Sequence, residues 1–187
     1  MRVTGGEGRG RLLHGPGDLR IRPTSDRVRG ALFDLLGPRV AGASFLDLCA
    51  GTGAVGIEAL SRGAKRAVFV DRDRRAIALI RKNLDRVRPP GEAELIEAEI
   101  DGAVASFKDA GGSFAVVFID PPYDAPDQSD LLASAARVVA QGGILVLEHR
   151  TRVGSPSPIS APGCRPLRDY RHGDTTLTTF LLEPGTA

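Results

Sequence analysis

Residues 45–56 read Phe45-Leu46-Asp47-Leu48-Cys49-Ala50-Gly51-Thr52-Gly53-Ala54-Val55-Gly56, and this stretch decides the fold. Its first half is an apolar run broken by one acid, the pattern of a strand buried on both faces. Gly51 and Gly53 then permit a tight turn and close backbone approach to a ligand. The run AVGIEALSRG continues as a helix whose first amides face that turn.

Downstream the pattern repeats. RAVFV precedes a helix over 73–86, AELIEA precedes one over 101–109, and FAVVFID precedes one over 128–140. Gly142-Gly143 is read as the break after that last helix, with ILVLEH as the next strand. Short, near-continuous apolar strands alternating with helices predict a doubly wound α/β fold on a parallel sheet. A Pro-rich loop over 150–166 leads to two β segments, 167–171 and 176–182, joined at His172-Gly173-Asp174. Upstream, Thr24, Ser25 and Asp26 are N-cap candidates for a helix carrying Val28, Leu32, Leu35 and Leu36, which stops near Gly37-Pro38. Residues 1–25 read as a basic arm or hairpin, and 26–187 as the main domain.

The glycine turn alone leaves two ligands open. Gly51, Gly53 and Gly56 satisfy a G-x-G-x-x-G fingerprint, and Asp71 follows at the distance expected of a ribose-binding acid. Two features favour S-adenosylmethionine over a nicotinamide dinucleotide. A chain of 187 residues leaves little room for a second nucleotide-binding half and a substrate domain. Asp47 lies inside the strand, where a carboxylate repels pyrophosphate but holds the amino group of a methionine moiety; its alternative is a cap on the turn. Asp71, ending AVFVD, suits ribose hydroxyls or a helix N-cap, and Asp101 or nearby Glu99 suits an adenine amino group. Ala50 and Arg72, beside the glycine turn and Asp71, complete the expected cofactor set.

The chemistry is chosen by Asp120-Pro121-Pro122-Tyr123 after the fourth strand, at the carboxyl edge where open α/β sheets place ligands. An exocyclic base nitrogen is a weak nucleophile because its lone pair is delocalised into the ring. The Asp120 carboxylate and the Pro121 carbonyl can accept its two N–H bonds and localise that pair toward a methyl donor. Pro121 and Pro122 fix the backbone, and Tyr123 offers a stacking face for an extruded base, worth ~1–3 kcal/mol. The same four residues can also be a strand-ending turn with an aromatic plug.

Composition excludes other classes. Hydrophobic residues make up 42% and charged residues 26%, with no apolar run of membrane-spanning length and no secretory signal, so a cytoplasmic location is expected. Cys49 and Cys164 have no paired spacing, which fits neither a disulfide framework nor a four-ligand zinc site. Net charge is only +2, yet residues 1–30 hold seven Arg against three acids, as expected of an arm that meets a polyanion, or of a solvated surface segment.

These residues resemble the bacterial RsmD-type 16S ribosomal RNA guanine-N2 methyltransferases. The resemblance runs through Gly5-Gly6 and Arg9-Gly10-Arg11, RPTSDRVRGALFDLL (22–36), LDLCAGTGAVGIEALSRGA (46–64) and DPPY (120–123). The segment Arg22 to Arg29 is its most specific part. It implies a seven-stranded methyltransferase sheet, S-adenosyl-L-methionine as donor, no metal, and one guanine of the small subunit or its assembly intermediate as target. It also implies that the arm and the helix from Asp26 close over donor and RNA. Arg9, Arg11, Arg22, Arg27 and Arg29 are then RNA or closure candidates, with Arg27 and Arg29 equally readable as surface or salt-bridging residues. A monomer is expected. Cys49 departs from the family, which more often has an aromatic residue there, and is read as a small apolar filler. Competing readings are an adenine-N6 enzyme, a glutamine-N5 enzyme, a non-catalytic RNA-binding assembly protein and a dehydrogenase. His149, near the cleft, reads as a hydrogen-bonded surface residue.

Overall fold

The computed structural model describes residues 1–17, 19, 24–121, 128–151 and 159–183. In chain order the elements are α1 (Asp26–Leu36), β1 (Ser44–Leu48), α2 (Ala54–Ser61), β2 (Arg66–Asp71), α3 (Arg74–Val87) and β3 (Glu92–Glu97). They continue with α4 (Ile100–Asp109), β4 (Phe114–Ile119), α5 (Gln128–Ala136), β5 (Val139–Arg150), β6 (Cys164–His172) and β7 (Thr175–Leu182). The strands form one seven-stranded sheet in the order β3-β2-β1-β4-β5-β7-β6. β1 to β5 pair in parallel, and β7 runs antiparallel to both β5 and β6. This is the predicted doubly wound α/β, Rossmann-like sheet. Its two faces build separate apolar layers, one around Phe45, Phe69 and Phe118 and the other around Leu46, Val68 and Val117.

Most local signals act where expected. The Ser25 hydroxyl accepts from the Val28 N–H as the N-cap of α1, and Gly37, at a φ of 53° that favours glycine, ends it. Gly173 (φ 58°) and Asp174 form the two-residue turn between β6 and β7. Gly56 lies where α2 crosses β2: an added Cβ would fall 2.3 Å from the Phe69 ring, so only glycine permits that packing.

Two boundaries differ: β6 takes in Cys164–Pro166, expected in the Pro-rich loop, and the other is at α5. α5 ends at Ala136 and not at 140, and β5 begins at Val139, so Gly142-Gly143 lie inside a strand. The register between β4 and β5 shifts between Phe114 and Val116, and Gly142 adopts φ 71° opposite that shift. The glycine pair is a break as predicted, but it makes a bulge in the sheet instead of ending a helix.

The arm is a small hairpin closed by an antiparallel bridge between Arg2 and Leu12. Val3 and Leu13 are buried in the core layer beside α2. Its polar anchor is Glu58, fully buried on α2. Glu58 Oε2 accepts from the Thr4 N–H (2.8 Å) and Arg29 Nε (3.2 Å), while Oε1 accepts from Thr4 Oγ1 (2.7 Å) and Arg62 Nε (2.9 Å). A second anchor is Asn83 of α3, whose Oδ1 accepts from the His14 N–H (2.7 Å) and whose Nδ2 donates to the carbonyl of Thr52 (2.9 Å) in the glycine turn.

Candidate active site

The chain leaves β1 toward β2 on one side, while β4 pairs on its other side, so the strand order reverses between β1 and β4. Ligands of open α/β sheets bind in the crevice at such a point. Both loops singled out from the sequence meet there. The glycine turn follows Leu48, Asp120 follows Ile119, and these two strand ends are direct partners in register. The cleft is lined by Thr24, Asp47, Cys49, Ala50, Gly51, Thr52, Ala54, Val55, Phe118 and Asp120.

The turn is held by its own acids. Gly51 (φ 55°) and Gly53 (φ 74°) take left-handed conformations, and Cys49 does so without being glycine (φ 64°). Asp71 Oδ2 accepts from the Gly51 N–H (2.8 Å) and Oδ1 from the Asp73 N–H (2.9 Å), so the end of β2 braces the turn. Asp47 is 1% exposed, and its Oδ2 accepts from the Gly56 N–H at 2.9 Å. Burial, against the lowering effect of that hydrogen bond, lifts its pKa to about 7, with the charges of Asp71 and Glu148 adding to the rise. The Cys49 thiol is pushed up to about 12 by burial and by Asp71, Asp120 and Asp47 around it, so it is an unreactive filler.

Beside Asp120 the structure adds two groups that the motif does not contain. The Thr24 hydroxyl stands 3.1 Å from Glu148 Oε2 and 3.5 Å from Asp120 Oδ2, and Thr24 and Glu148 are both buried. Thr24 is itself fixed by Arg29, whose Nη1 donates to the Thr24 carbonyl at 3.3 Å. Arg29 is 0% exposed and also ion-pairs with Glu58 (3.2 Å) and Asp26 (2.9 Å) and donates to the Arg2 carbonyl. Of the readings open for Arg29 the salt-bridging one holds and the RNA contact does not: a guanidinium without solvent access joins arm, α1 and α2.

Other expected residues divide by place. Ala50 lines the cleft, and Pro121 is buried directly after Asp120. Arg72 is exposed and lies 3.6 Å from Glu99. Asp101 is in the first turn of α4 outside the cleft lining, and its Oδ1 accepts from Ser134 Oγ of α5 at 2.8 Å. Arg9, Arg11 and Arg27 are exposed. Arg22, Pro122, Tyr123 and most of the Pro-rich loop lie outside the described residues. His149 is buried, not at the surface, with Nε2 2.9 Å from Thr178 Oγ1 and Nδ1 3.0 Å from the Arg150 carbonyl. Thr24, Glu148, Glu58 and Asn83 were not predicted as site residues. For Glu58 and Glu148 the available signal was the one that exposed Asp47, a polar residue within an apolar run, while Asn83 is marked only by lying on the buried, apolar stripe of α3.

The cleft's electrostatics discriminate between ligands. Asp47 and Asp120 line it, Glu148 lies behind Thr24, and no Lys or Arg lines it among the described residues. Such a surface suits a cationic sulfonium and ammonium group and opposes a pyrophosphate.

The family described as conserved hypothetical protein 95 matches residues 1–181. The chain belongs to this family. It is 34% identical over 161 residues to a Bacillus subtilis protein provisionally named rRNA methyltransferase YlbH, covering 85% of this chain and 88% of that one. It is 39% identical over 123 residues to the Escherichia coli ribosomal RNA small subunit methyltransferase D, covering 66% of this chain and 60% of the relative. Among solved structures, Escherichia coli yhhF, provisionally described as a methyltransferase, superimposes with a TM-score of 0.81 at 27% identity and 98% coverage of both chains. No helix among the described residues is long and apolar enough to cross a membrane.

Proposed function

We propose that this protein is an S-adenosylmethionine-dependent methyltransferase acting on the exocyclic N2 amine of a guanine in small-subunit ribosomal RNA. The observation that carries the reading is the meeting of an acid-lined glycine turn with Asp120-Pro121 at the strand-order reversal. The relatives named as rRNA methyltransferases support the RNA class of acceptor.

Asp47 and the turn at Ala50, Gly51 and Gly53 would hold the methionine end of the donor, and Asp71 with Arg72 its ribose. Asp101 or Glu99, at the β3–α4 corner, would meet the adenine. Bound there, the donor supplies an electrophilic methyl group. Asp120 accepts one N–H of the target amine and the Pro121 carbonyl the other, which turns the nitrogen lone pair toward that methyl. The amine proton shed on methylation is accepted at an Asp120 carboxylate oxygen. The Thr24 hydroxyl, with one proton to give to either Asp120 or Glu148, is the side chain positioned to orient this carboxylate. Pro122 and Tyr123, next in the sequence, would supply backbone rigidity and a stacking face for the base.

Nucleoside analysis of the methylated acceptor tests the choice of amine. N2-methylguanosine from small-subunit rRNA is expected. N6-methyladenosine as the sole product would replace the guanine reading with an adenine one.

A further inference from the structure

Helix α3 buries Ala76, Ile77, Ile80, Asn83 and Val87, leaving Arg74, Arg75, Arg81, Lys82 and Arg86 toward solvent. Residues 74–88 carry six Arg or Lys and one Asp, a net +5 in a chain whose total is +2. A basic helix face is commonly just a solvated surface. Three observations distinguish this one.

The first concerns pairing. Arg75 is matched by Asp73 and Arg72 by Glu99, yet Arg81, Lys82 and Arg86 form no ion pair among the described residues. These positions lie outside the site described above. The second is the neighbour. The arm packs along the same flank, where Arg11 donates to the Val87 carbonyl and His14 Nε2 stands 3.2 Å from Arg86 Nη1. Two segments that each carry excess positive charge, 1–17 and 74–88, are thus brought side by side on a protein whose remainder is acidic. The third is continuity with the cleft. Asn83, on the inner side of this helix, holds both the His14 segment and the Thr52 carbonyl of the glycine turn. A ligand on the flank and a base in the cleft are therefore held by one rigid unit.

We infer that the exposed face of α3, together with Arg9 and Arg11 of the arm, is a second binding surface that takes the phosphate backbone of the RNA acceptor away from the target nucleotide. Sparse cations on one helix, two turns or about 10 Å apart at Arg74 and Arg81, suit a line of phosphates and carry no base information. The surface contributes affinity while the cleft selects the amine. This inference rests on the RNA reading above.

The test is binding of intact small ribosomal subunits, with S-adenosylhomocysteine present, by wild type and the triple variant Arg81→Gln/Lys82→Gln/Arg86→Gln. A control, Arg165→Gln/Arg168→Gln/Arg171→Gln, removes equal charge from exposed positions of β6 at the opposite edge of the sheet. The α3 variant is expected to bind about tenfold more weakly near 0.15 M salt, with the log–log salt slope reduced by roughly 2–3. Its donor affinity is expected to stay unchanged, and the control to move Kd less than about twofold. Equal losses in both variants, or a weakened Kd with an unchanged salt slope, would overturn the inference, the latter pointing to a protein contact. Wild type that fails to bind the subunit overturns the RNA reading itself, whereas tight binding by the α3 variant overturns only the surface.

Discussion

The cleft between β1 and β4 and the flank along α3 carry opposite charge in opposite settings. Asp47 in the cleft is 1% exposed with a pKa lifted to about 7, while Arg81, Lys82 and Arg86 on the flank are solvated. A buried carboxylate is costly to folding, and a solvated cation is nearly neutral. The cleft acids are thus retained for a ligand at some cost in stability, and removing charge has different consequences in the two regions.

The largest effect is expected at the reacting corner. Asp120→Ala should lower single-turnover methyl transfer by 10²–10³-fold or more, roughly, with donor affinity kept within about twofold. Undiminished transfer, measured beside calorimetric donor binding, would break the catalytic assignment. Glu58→Ala sharpens the comparison from the structural side. It leaves the buried Arg29 without its main partner and should cost about 3–5 kcal/mol in urea unfolding. A loss below about 1 kcal/mol would mean that the cluster does not hold the arm.

Asp47→Asn should act in two directions. Because the folded pKa, about 7, lies above the model-compound 3.8, the folded state binds the extra proton in between. The stability this contributes is full below about pH 4 and is lost as pH rises through 7. Asn should abolish that decline, leaving the unliganded protein more stable than wild type at pH 8. It should also weaken donor binding about tenfold at pH 8. In wild type, donor affinity should fall as pH drops below 7, since a cationic ligand requires the ionised Asp47. Flat pH profiles for stability and for affinity would contradict this assignment. Asp101→Ala is the mildest change, with about fivefold weaker donor binding expected from one lost hydrogen bond. Unmoved affinity would leave Asp101 only its contact with Ser134.

Much of this is legible in the amino-acid sequence alone. The strands announced themselves by apolar runs, the glycine turn by its spacing, and Asp120-Pro121 by position after a strand. What escaped depended on partners distant in sequence. Arg29 looks like any surface arginine until Glu58, 29 residues away, is brought against it. Thr24 was read as a helix cap, and only folding places its hydroxyl between Asp120 and Glu148, over 90 residues downstream. Gly142-Gly143 was rightly a break, but whether a glycine pair ends a helix or bulges a strand is decided by the register with β4.

The most direct test of the account is transfer from labelled S-adenosylmethionine to three acceptors, namely intact small subunits, free small-subunit rRNA and duplex DNA, with Asp120→Ala in parallel. Label is expected at one guanine of the rRNA, none in DNA, and at least about a hundredfold less from the variant. Label in DNA or protein, or no transfer to RNA despite measured donor binding, would contradict it.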